Sequence, residues 1–308
     1  MSKGVPATPR PASTVLLLRE QPIGFEVFLL RRHQKSVFMA GNYVYPGGTV
    51  DKSDDNEEVL THCVESPLEG TREAHRPGPD LLGYRIAAIR ELFEEAGVLL
   101  AYRKDGTPFR LSNESERERF FGYRKELNEG QITLLQLVVR ENLLLALDHL
   151  YYYTHWITPE ANPVRFDTRF FVARHPSGQE ASPDLKETTD GIWIAPRPAL
   201  DANIRGSVPL SPPTLKTLED VARFDALELF LDSLRREDRK PPVLPVLVTI
   251  AEETVLIYPW DPEYEAYKTG AVCQDVTAVS HGRPSTPFDN TTRLVYREGF
   301  WLPYVKAA

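Results

Sequence analysis

The apolar positions along this chain change their spacing several times, and each spacing predicts a different kind of element. Residues 12–19 and 25–32 are apolar and β-branched runs separated by Gln-Pro-Ile-Gly, which predicts a β-hairpin. From Ile86 to Ala96 the apolar residues recur instead at the spacing of a helix. Further strands are expected at residues 151–157, 169–173 and 192–195, with their aromatic side chains in the core. This part of the chain is therefore expected to contain both strands and helices.

The middle of the chain contains two further helical candidates. Ser112 precedes acidic residues and a run that ends near Asn128, which is typical of a capped helix. Residues 132–147 carry an apolar stripe and are expected to form the second helix. We expect residues 112–148 to be a helical insert that covers the side of the domain on which the functional site lies.

The part that follows Pro196 shows elements but no recognisable chemistry. Helices are expected at residues 211–224 and 225–236, and a proline-rich connector at 241–245 precedes apolar runs at 246–258 and 294–296. We expect a flexible arm at residues 1–10, a main domain at residues 11–205 and a C-terminal extension at residues 206–308.

The stretch with the most chemical content is RELFEEAGV, residues 90–98. At 100° per residue its acids, Glu91, Glu94 and Glu95, share one face and its apolar residues share the other. Gly97 is placed to end the helix, so two of these charges lie at the negative end of the macrodipole, where each costs about 0.3–1 kcal/mol. A solvated acidic face is one interpretation. A bound divalent cation, which takes carboxylate oxygens and reverses that cost, is the other.

Composition and charge narrow the class of function. The chain has 308 residues, of which 42% are hydrophobic and 26% charged, so it can bury a substantial core. Its net charge of −8 and the lack of a Lys/Arg block argue against a nucleic-acid partner. The two cysteines, Cys63 and Cys273, indicate neither a disulfide framework nor a zinc site. The sequence contains no apolar run of membrane-spanning length, and we expect a cytoplasmic protein without a membrane partner.

A Pro-Gly-Gly turn within residues 41–51 changes which interpretation of the acidic helix is favoured. Taken alone it is a plain turn. Together with the helix it resembles the signature of the Nudix hydrolases, Gly-x5-Glu-x7-Arg-Glu-hydrophobic-x-Glu-Glu-x-Gly-hydrophobic. The matching residues are Gly48, then Asp54 after five residues, and later RELFEEAGV. The second half matches at every specified position. In the first half Asp54 stands for Glu, and residues 55–89, which we interpret as a surface insertion, replace a seven-residue spacer.

This resemblance covers roughly residues 10–205 and implies a fold and an activity. The split signature, with the lead-in at residues 28–48 and RFDTRFFVA at 165–173, looks like the branch that includes the peroxisomal coenzyme A diphosphatases. It implies an α/β/α Nudix sandwich and metal-dependent hydrolysis of a pyrophosphate bond, with coenzyme A or acyl-CoA as the favoured substrate. The alternatives are ADP-ribose or a nucleotide sugar as substrate, or a non-catalytic Nudix-fold sensor. Homodimerisation stays open.

The resemblance also assigns roles to residues. It implies that Glu91, Glu94 and Glu95, aided by a backbone carbonyl at Gly47 or Gly48, bind Mg²⁺ or Mn²⁺. Glu91 would bind metal or act as the general base, and Arg90 would orient it. The additional acid found before a late strand in such enzymes would be Glu187, with Asp190 the alternative.

An acidic protein that binds a polyanion also needs local arginines. The candidates by sequence are Arg31, Arg32, Arg165 and Arg169, of which Arg31, Arg165 and Arg169 are our substrate-binding predictions. For Arg169, a structural ion pair with Asp167 is the alternative.

Overall fold

The structure is a computed structural model that describes residues 5–36, 39–64, 81–236, 240–270 and 290–304. Its centre is a mixed sheet of the strands β1 (Arg10–Glu20), β2 (Phe25–Arg32), β3 (Tyr43–Val44), β4 (Gly47–Thr49), β8 (Tyr151–Ile157), β9 (Phe166–Arg174) and β10 (Thr188–Ile194). The strand order is β10-β2-β1-β9-β8, with β3 added to β2 and β4 added to β1. The predicted hairpin is confirmed, since β1 and β2 pair antiparallel across a turn in which Gly24 has φ +73°.

The central strand β1 pairs in parallel with β9 over nine residues, from Arg10 opposite Phe166 to Leu18 opposite Arg174. It is apolar on both faces. Val15 and Leu17 contribute to one cluster of buried side chains, whereas Leu16 and Leu18 contribute to another. A strand with two buried faces requires a layer on each side of the sheet. The α/β sandwich is therefore confirmed.

The first layer contains helix α2 (Leu82–Ala96), which packs Ile89, Leu92 and Phe93 against the sheet. The Oγ of Ser13 in β1 donates to the carbonyl oxygen of Tyr84 at 2.6 Å, which fixes the helix along the central strand. Beside it lie α3 (Glu114–Asn128), α4 (Leu134–Glu141) and a small sheet of β5 (Cys63–Val64), β7 (Leu143–Ala146) and β6 (Ala101–Arg103).

The second layer lies on the opposite face of the sheet. It consists of α5 (Pro196–Ile204), α6 (Pro212–Val221), α7 (Leu227–Arg236) and one face of an antiparallel sheet, with α8 (Tyr264–Thr269) on the other face of that sheet. The strands of the antiparallel sheet are β11 (Val246–Ile250), β12 (Glu253–Ile257), β13 (Arg293–Arg297) and β14 (Phe300–Pro303). The C-terminal extension therefore completes the core of the main domain.

Two sequence predictions need correction. The second predicted helix, residues 132–147, ends at Glu141, because Asn142 adopts φ +53° and the apolar residues 143–146 pair as β7 between two short strands. The stretch 55–89 is not an uninterrupted surface insertion. Its last part is the buried beginning of α2, and Glu57–Leu60 forms the short helix α1. Residues 65–80 lie outside the described part of the chain.

No helix within the described ranges is both long enough and apolar enough to cross a membrane.

Candidate active site

The acidic edge of α2 is buried. Glu91 is 8% exposed and Glu95 is 5% exposed, so a solvated charged face does not describe these residues. The helix ends where the sequence predicted, because Gly97 adopts φ +70° and its amide donates to the carbonyl oxygen of Phe93 at 2.9 Å. Buried carboxylates require hydrogen-bond donors or opposite charges, and the surrounding residues provide too few of these.

Arg90 is the single cation that contacts these acids directly among the described side chains. Its Nε and Nη2 donate to the two carboxylate oxygens of Asp54 at 2.9 Å each, and its Nη1 donates to Glu91 and Glu94 at 2.9 Å each. A further bond of 2.7 Å reaches the carbonyl oxygen of Thr49. Burial opposes the charge on Arg90, but the bonds to Asp54 and the charges of Glu91 and Glu94 raise its pKa above the usual range.

The glycine turn lies directly against the acids. The amide of Gly47 donates to Oε2 of Glu95 at 2.8 Å. A Cβ atom on Gly48 would lie 2.4 Å from Oε1 of Glu91, and one on Gly47 would lie 2.3 Å from the carbonyl oxygen of Ser13. Any side chain at either position would displace the carboxylates or the strand, so only glycine fits at these two positions.

The negative charges of these acids are not fully neutralised by nearby cations. Burial raises the pKa of Glu91, Glu94 and Glu95, with the mutual repulsion of Glu91 and Glu95 adding to the shift of the latter. Arg90 pairs with three buried or nearly buried carboxylates, those of Asp54, Glu91 and Glu94. Among the described groups, the buried carboxylate of Glu95 forms no ion pair and accepts a hydrogen bond only from the Gly47 amide. A site in which negative charges outnumber positive ones favours protons or a bound cation.

These groups line one cavity of about 560 Å³ at the end of the central sheet. Glu187 also lines it, and its loop is held by the carboxylate of Asp184, which accepts bonds of 3.0 Å from the amides of Glu187 and Thr188. Asp190 does not line the cavity, and instead accepts a 2.7 Å bond from the hydroxyl of Tyr43. The structure thus brings Glu187 together with Arg90, the three glutamates of α2 and Gly48.

The predicted substrate arginines are placed elsewhere. Arg165 is buried and donates to the carbonyl oxygens of Ala7 and Thr158 at 2.7 and 3.0 Å. Arg169 pairs with Asp167 and contacts His155, and Arg31 donates weakly to the carbonyl oxygen of Gly41. None of Arg31, Arg165 and Arg169 is among the side chains that line the cavity, whereas Arg32 is. The Nε of Arg32 is buried without a hydrogen-bond partner in the described part of the chain.

Two residues that support the site were not identified from the sequence. Arg124 of α3 donates to the carbonyl oxygens of Glu94 and Glu95 at 2.8 and 2.7 Å, and Asn128 donates to that of Glu94 at 3.1 Å. They satisfy the carbonyl groups at the C-terminus of α2 and place a positive charge at its negative end. No local signal could have shown this, because the contact joins helices about thirty residues apart in sequence.

The donor set suits a hard divalent cation by its chemistry. Carboxylates and a peptide carbonyl are the ligands that such cations prefer. No three His, Cys, Asp or Glu side chains in the described ranges converge as a ready-made metal group. Oxygens of the three glutamates are held instead by Arg90 and the Gly47 amide. The fit therefore rests on the buried, uncompensated carboxylates and not on a preformed coordination geometry.

Comparison with known proteins points to one family. The family model described as the NUDT19 Nudix domain matches residues 66–223. The acyl-coenzyme A diphosphatase NUDT19 of Xenopus laevis is 27% identical over 292 residues, covering 82% of this chain and 76% of that protein. The human protein of the same name is 25% identical over 272 residues, covering 78% of this chain and 72% of its own. The crystal structure of a Nudix hydrolase from Alicyclobacillus acidocaldarius superposes with a TM-score of 0.62 at 25% identity, covering 73% of this chain and 96% of that one.

Proposed function

This chain belongs to the NUDT19 family of Nudix hydrolases, and from that premise we propose that it hydrolyses the diphosphate bond of coenzyme A and acyl-CoA. The observation that carries the proposal is the meeting of three α2 glutamates, Arg90, the glycine turn and Glu187 in one cavity. Relatives named acyl-coenzyme A diphosphatases support the choice of substrate. The cavity volume of about 560 Å³ lies within the range of small-molecule sites.

Nudix hydrolases use divalent metal ions, and we propose Mg²⁺ or Mn²⁺ here, held by Glu91, Glu94, Glu95 and the carbonyl oxygen of Gly48. A bound ion would polarise the phosphoryl oxygens and lower the pKa of a water molecule. Arg90 fixes Glu91 and Glu94 against the helix through its Nη1. Its bidentate bonds to Asp54 fix the guanidinium itself, so Asp54 acts as a positioning residue.

Glu187 is proposed as the residue that accepts the proton of the attacking water, with Glu91 as the alternative base. The side chain of Glu187 is exposed to the cavity and makes no hydrogen bond or ion pair with the described residues. Glu91 is already bonded to Arg90. A carboxylate that is free of protein partners can bind and deprotonate water without first breaking an ion pair.

Arg32 is proposed to bind the substrate diphosphate. It lines the cavity, its charge opposes that of Glu95, and its Nε lacks a partner in the described ranges. A guanidinium fork suits two phosphate oxygens. On this geometry Arg32 is better placed than Arg31, Arg165 or Arg169.

The test is a substrate panel with the purified protein and either Mg²⁺ or Mn²⁺. Coenzyme A, acyl-CoA species of several chain lengths, ADP-ribose, NADH, diadenosine polyphosphates and nucleotide sugars would be compared by kcat/KM, with products identified by mass spectrometry. We expect the highest kcat/KM for coenzyme A compounds, with cleavage between the two phosphorus atoms. A higher kcat/KM for ADP-ribose or a nucleotide sugar would overturn the choice of substrate.

A further inference from the structure

The cavity has a second wall that the proposed hydrolysis does not use. Trp156, Phe166 and Phe170 of the central sheet contribute to it, together with Pro245 and Leu256 of the C-terminal extension. Trp156, Phe170 and Leu256 belong to the core on the sheet face opposite α2. The cavity therefore runs from the acids, past the end of the sheet, to an apolar region built by two parts of the chain.

This wall is fixed by contacts between the main domain and the C-terminal extension. Val243 pairs with β8, accepting a 2.8 Å bond from the amide of Ile157 and donating one of 2.8 Å to the carbonyl oxygen of His155. The ring of Tyr258 packs edge-on against Trp156 with a centroid distance of 5.8 Å. The hydroxyl of Tyr258 donates to the carbonyl oxygen of Pro212, another cavity residue, at 3.1 Å. A preformed wall of this kind suits ligand binding.

One polar group in the wall lacks a partner. Trp156 is 5% exposed, and its Nε1 is buried without a hydrogen-bond acceptor in the described ranges. A buried indole N–H normally has an acceptor. An acceptor on a ligand in the cavity would satisfy it, and an amide carbonyl oxygen in an otherwise apolar chain matches both the N–H and its apolar surroundings.

We propose that this wall binds the acyl-pantetheine arm of the substrate, an inference that rests on the proposed function. The N–H of Trp156 donates to an amide carbonyl oxygen of the arm, and Leu256 limits the length of acyl chain that fits. The C-terminal extension is then a determinant of substrate specificity. A diphosphate held at the acids would direct its non-nucleotide arm along the cavity onto this surface.

The first test is Trp156→Phe, which retains a ring against Tyr258 and removes the N–H. We expect the KM for coenzyme A to rise about threefold to tenfold with little change in kcat, since one hydrogen bond to the bound arm is lost. Trp301→Phe is the matched control, because Trp301 is also a buried aromatic of the same core but does not line the cavity. It should leave KM unchanged.

The second test is Leu256→Ala, compared with Leu294→Ala. These two leucines are paired neighbours on β12 and β13, both are buried, and only Leu256 lines the cavity. We expect Leu256→Ala to raise kcat/KM for longer acyl chains relative to free coenzyme A, by about fourfold for each additional buried methylene. Leu294→Ala should lower the melting temperature similarly and leave that ratio unchanged.

The outcomes separate the inference from the proposed function. A wild-type protein that hydrolyses coenzyme A, with Trp156→Phe and Leu256→Ala behaving like their controls, would overturn the inference alone. A wild-type protein that hydrolyses no coenzyme A compound would overturn both.

Discussion

Two charged clusters lie near the same end of the central sheet, one around Arg90 and the other around Arg169. Arg169 contacts Asp167, His155 and the ring of Tyr84, whose centroid lies 4.7 Å from its guanidinium carbon. Burial and the charge of Arg169 lower the pKa of His155, which leaves one cation opposite one carboxylate. In the Arg90 cluster one cation meets several buried carboxylates. A balanced charge pair leaves no charge to neutralise, whereas buried carboxylates in excess of their cations favour a bound cation, which supports the proposed metal site.

Removing the central cation should have the largest effect. Arg90→Met leaves Asp54 and the glutamates of α2 without their partner, and we expect a loss of about 3–5 kcal/mol in the free energy of unfolding, measured by denaturant titration. Activity should fall with it. A loss below about 1 kcal/mol would show that the acids do not depend on Arg90.

Neutralising one proposed metal ligand should abolish most activity without unfolding the protein. For Glu94→Gln or Glu95→Gln we expect kcat/KM to fall by at least about 100-fold. The melting temperature without metal should stay equal or rise, because a like charge leaves the C-terminus of α2. Wild-type turnover in both variants would contradict the assignment.

The balanced cluster should respond in the opposite way. Arg169→Lys retains the charge but loses the planar contacts to Asp167 and Tyr84, so we expect about 1 kcal/mol less stability and an unchanged KM. The matched variant is Arg32→Lys, for which the KM should rise while stability stays near that of the wild type. A raised KM for Arg169→Lys alone would restore its predicted role in phosphate binding.

The pH dependence of stability should be the most gradual effect. Because the pKa values of Glu91 and Glu95 are raised in the folded state, the folded protein binds more protons than the unfolded chain above the ordinary glutamate pKa. Without metal, the stabilising contribution of these groups is complete below that pKa and is lost as the pH rises through the folded values.

We therefore expect the melting temperature without metal to fall between about pH 5 and pH 8, and added Mg²⁺ to stabilise more at the higher pH. Differential scanning fluorimetry would measure both effects. Glu91→Gln should have a shallower slope. A melting temperature that rises over this interval and is unchanged by that substitution would contradict an excess of buried negative charge in this site.

The parts of this molecule that the sequence predicted are those governed by local patterns. The hairpin, the helix ending at Gly97 and the acid set follow from spacing and from a signature that matches over consecutive residues. The resemblance to the Nudix hydrolases implied Glu187, through its place before a late strand, and Glu187 does line the cavity.

The parts that the sequence did not predict depend on contacts between distant residues. The bond from Arg124 to the end of α2 and the pairing of Asp54 with Arg90 join residues that are separated in sequence. Trp156 was expected in the core, where it does lie, but only the three-dimensional packing shows that it also lines the cavity. Of the two adjacent arginines Arg31 and Arg32, the prediction named Arg31, whereas Arg32 lines the cavity, because neighbouring residues on a strand point to opposite faces.

The parallel pairing of β1 with β9 has a consequence for how the protein folds. Arg10 lies opposite Phe166, so the central strand of the sheet closes a loop of more than 150 residues, and the acidic helix lies inside that loop. Contacts between distant residues form late, because the entropy of loop closure is lost before they contribute stability. On a ribosome, β1 can pair with β2 early but must wait for β9 to emerge. The cavity that contains the proposed cation and substrate sites is therefore completed only after β9 has been synthesised, because Phe166 and Phe170 of β9 help to line it.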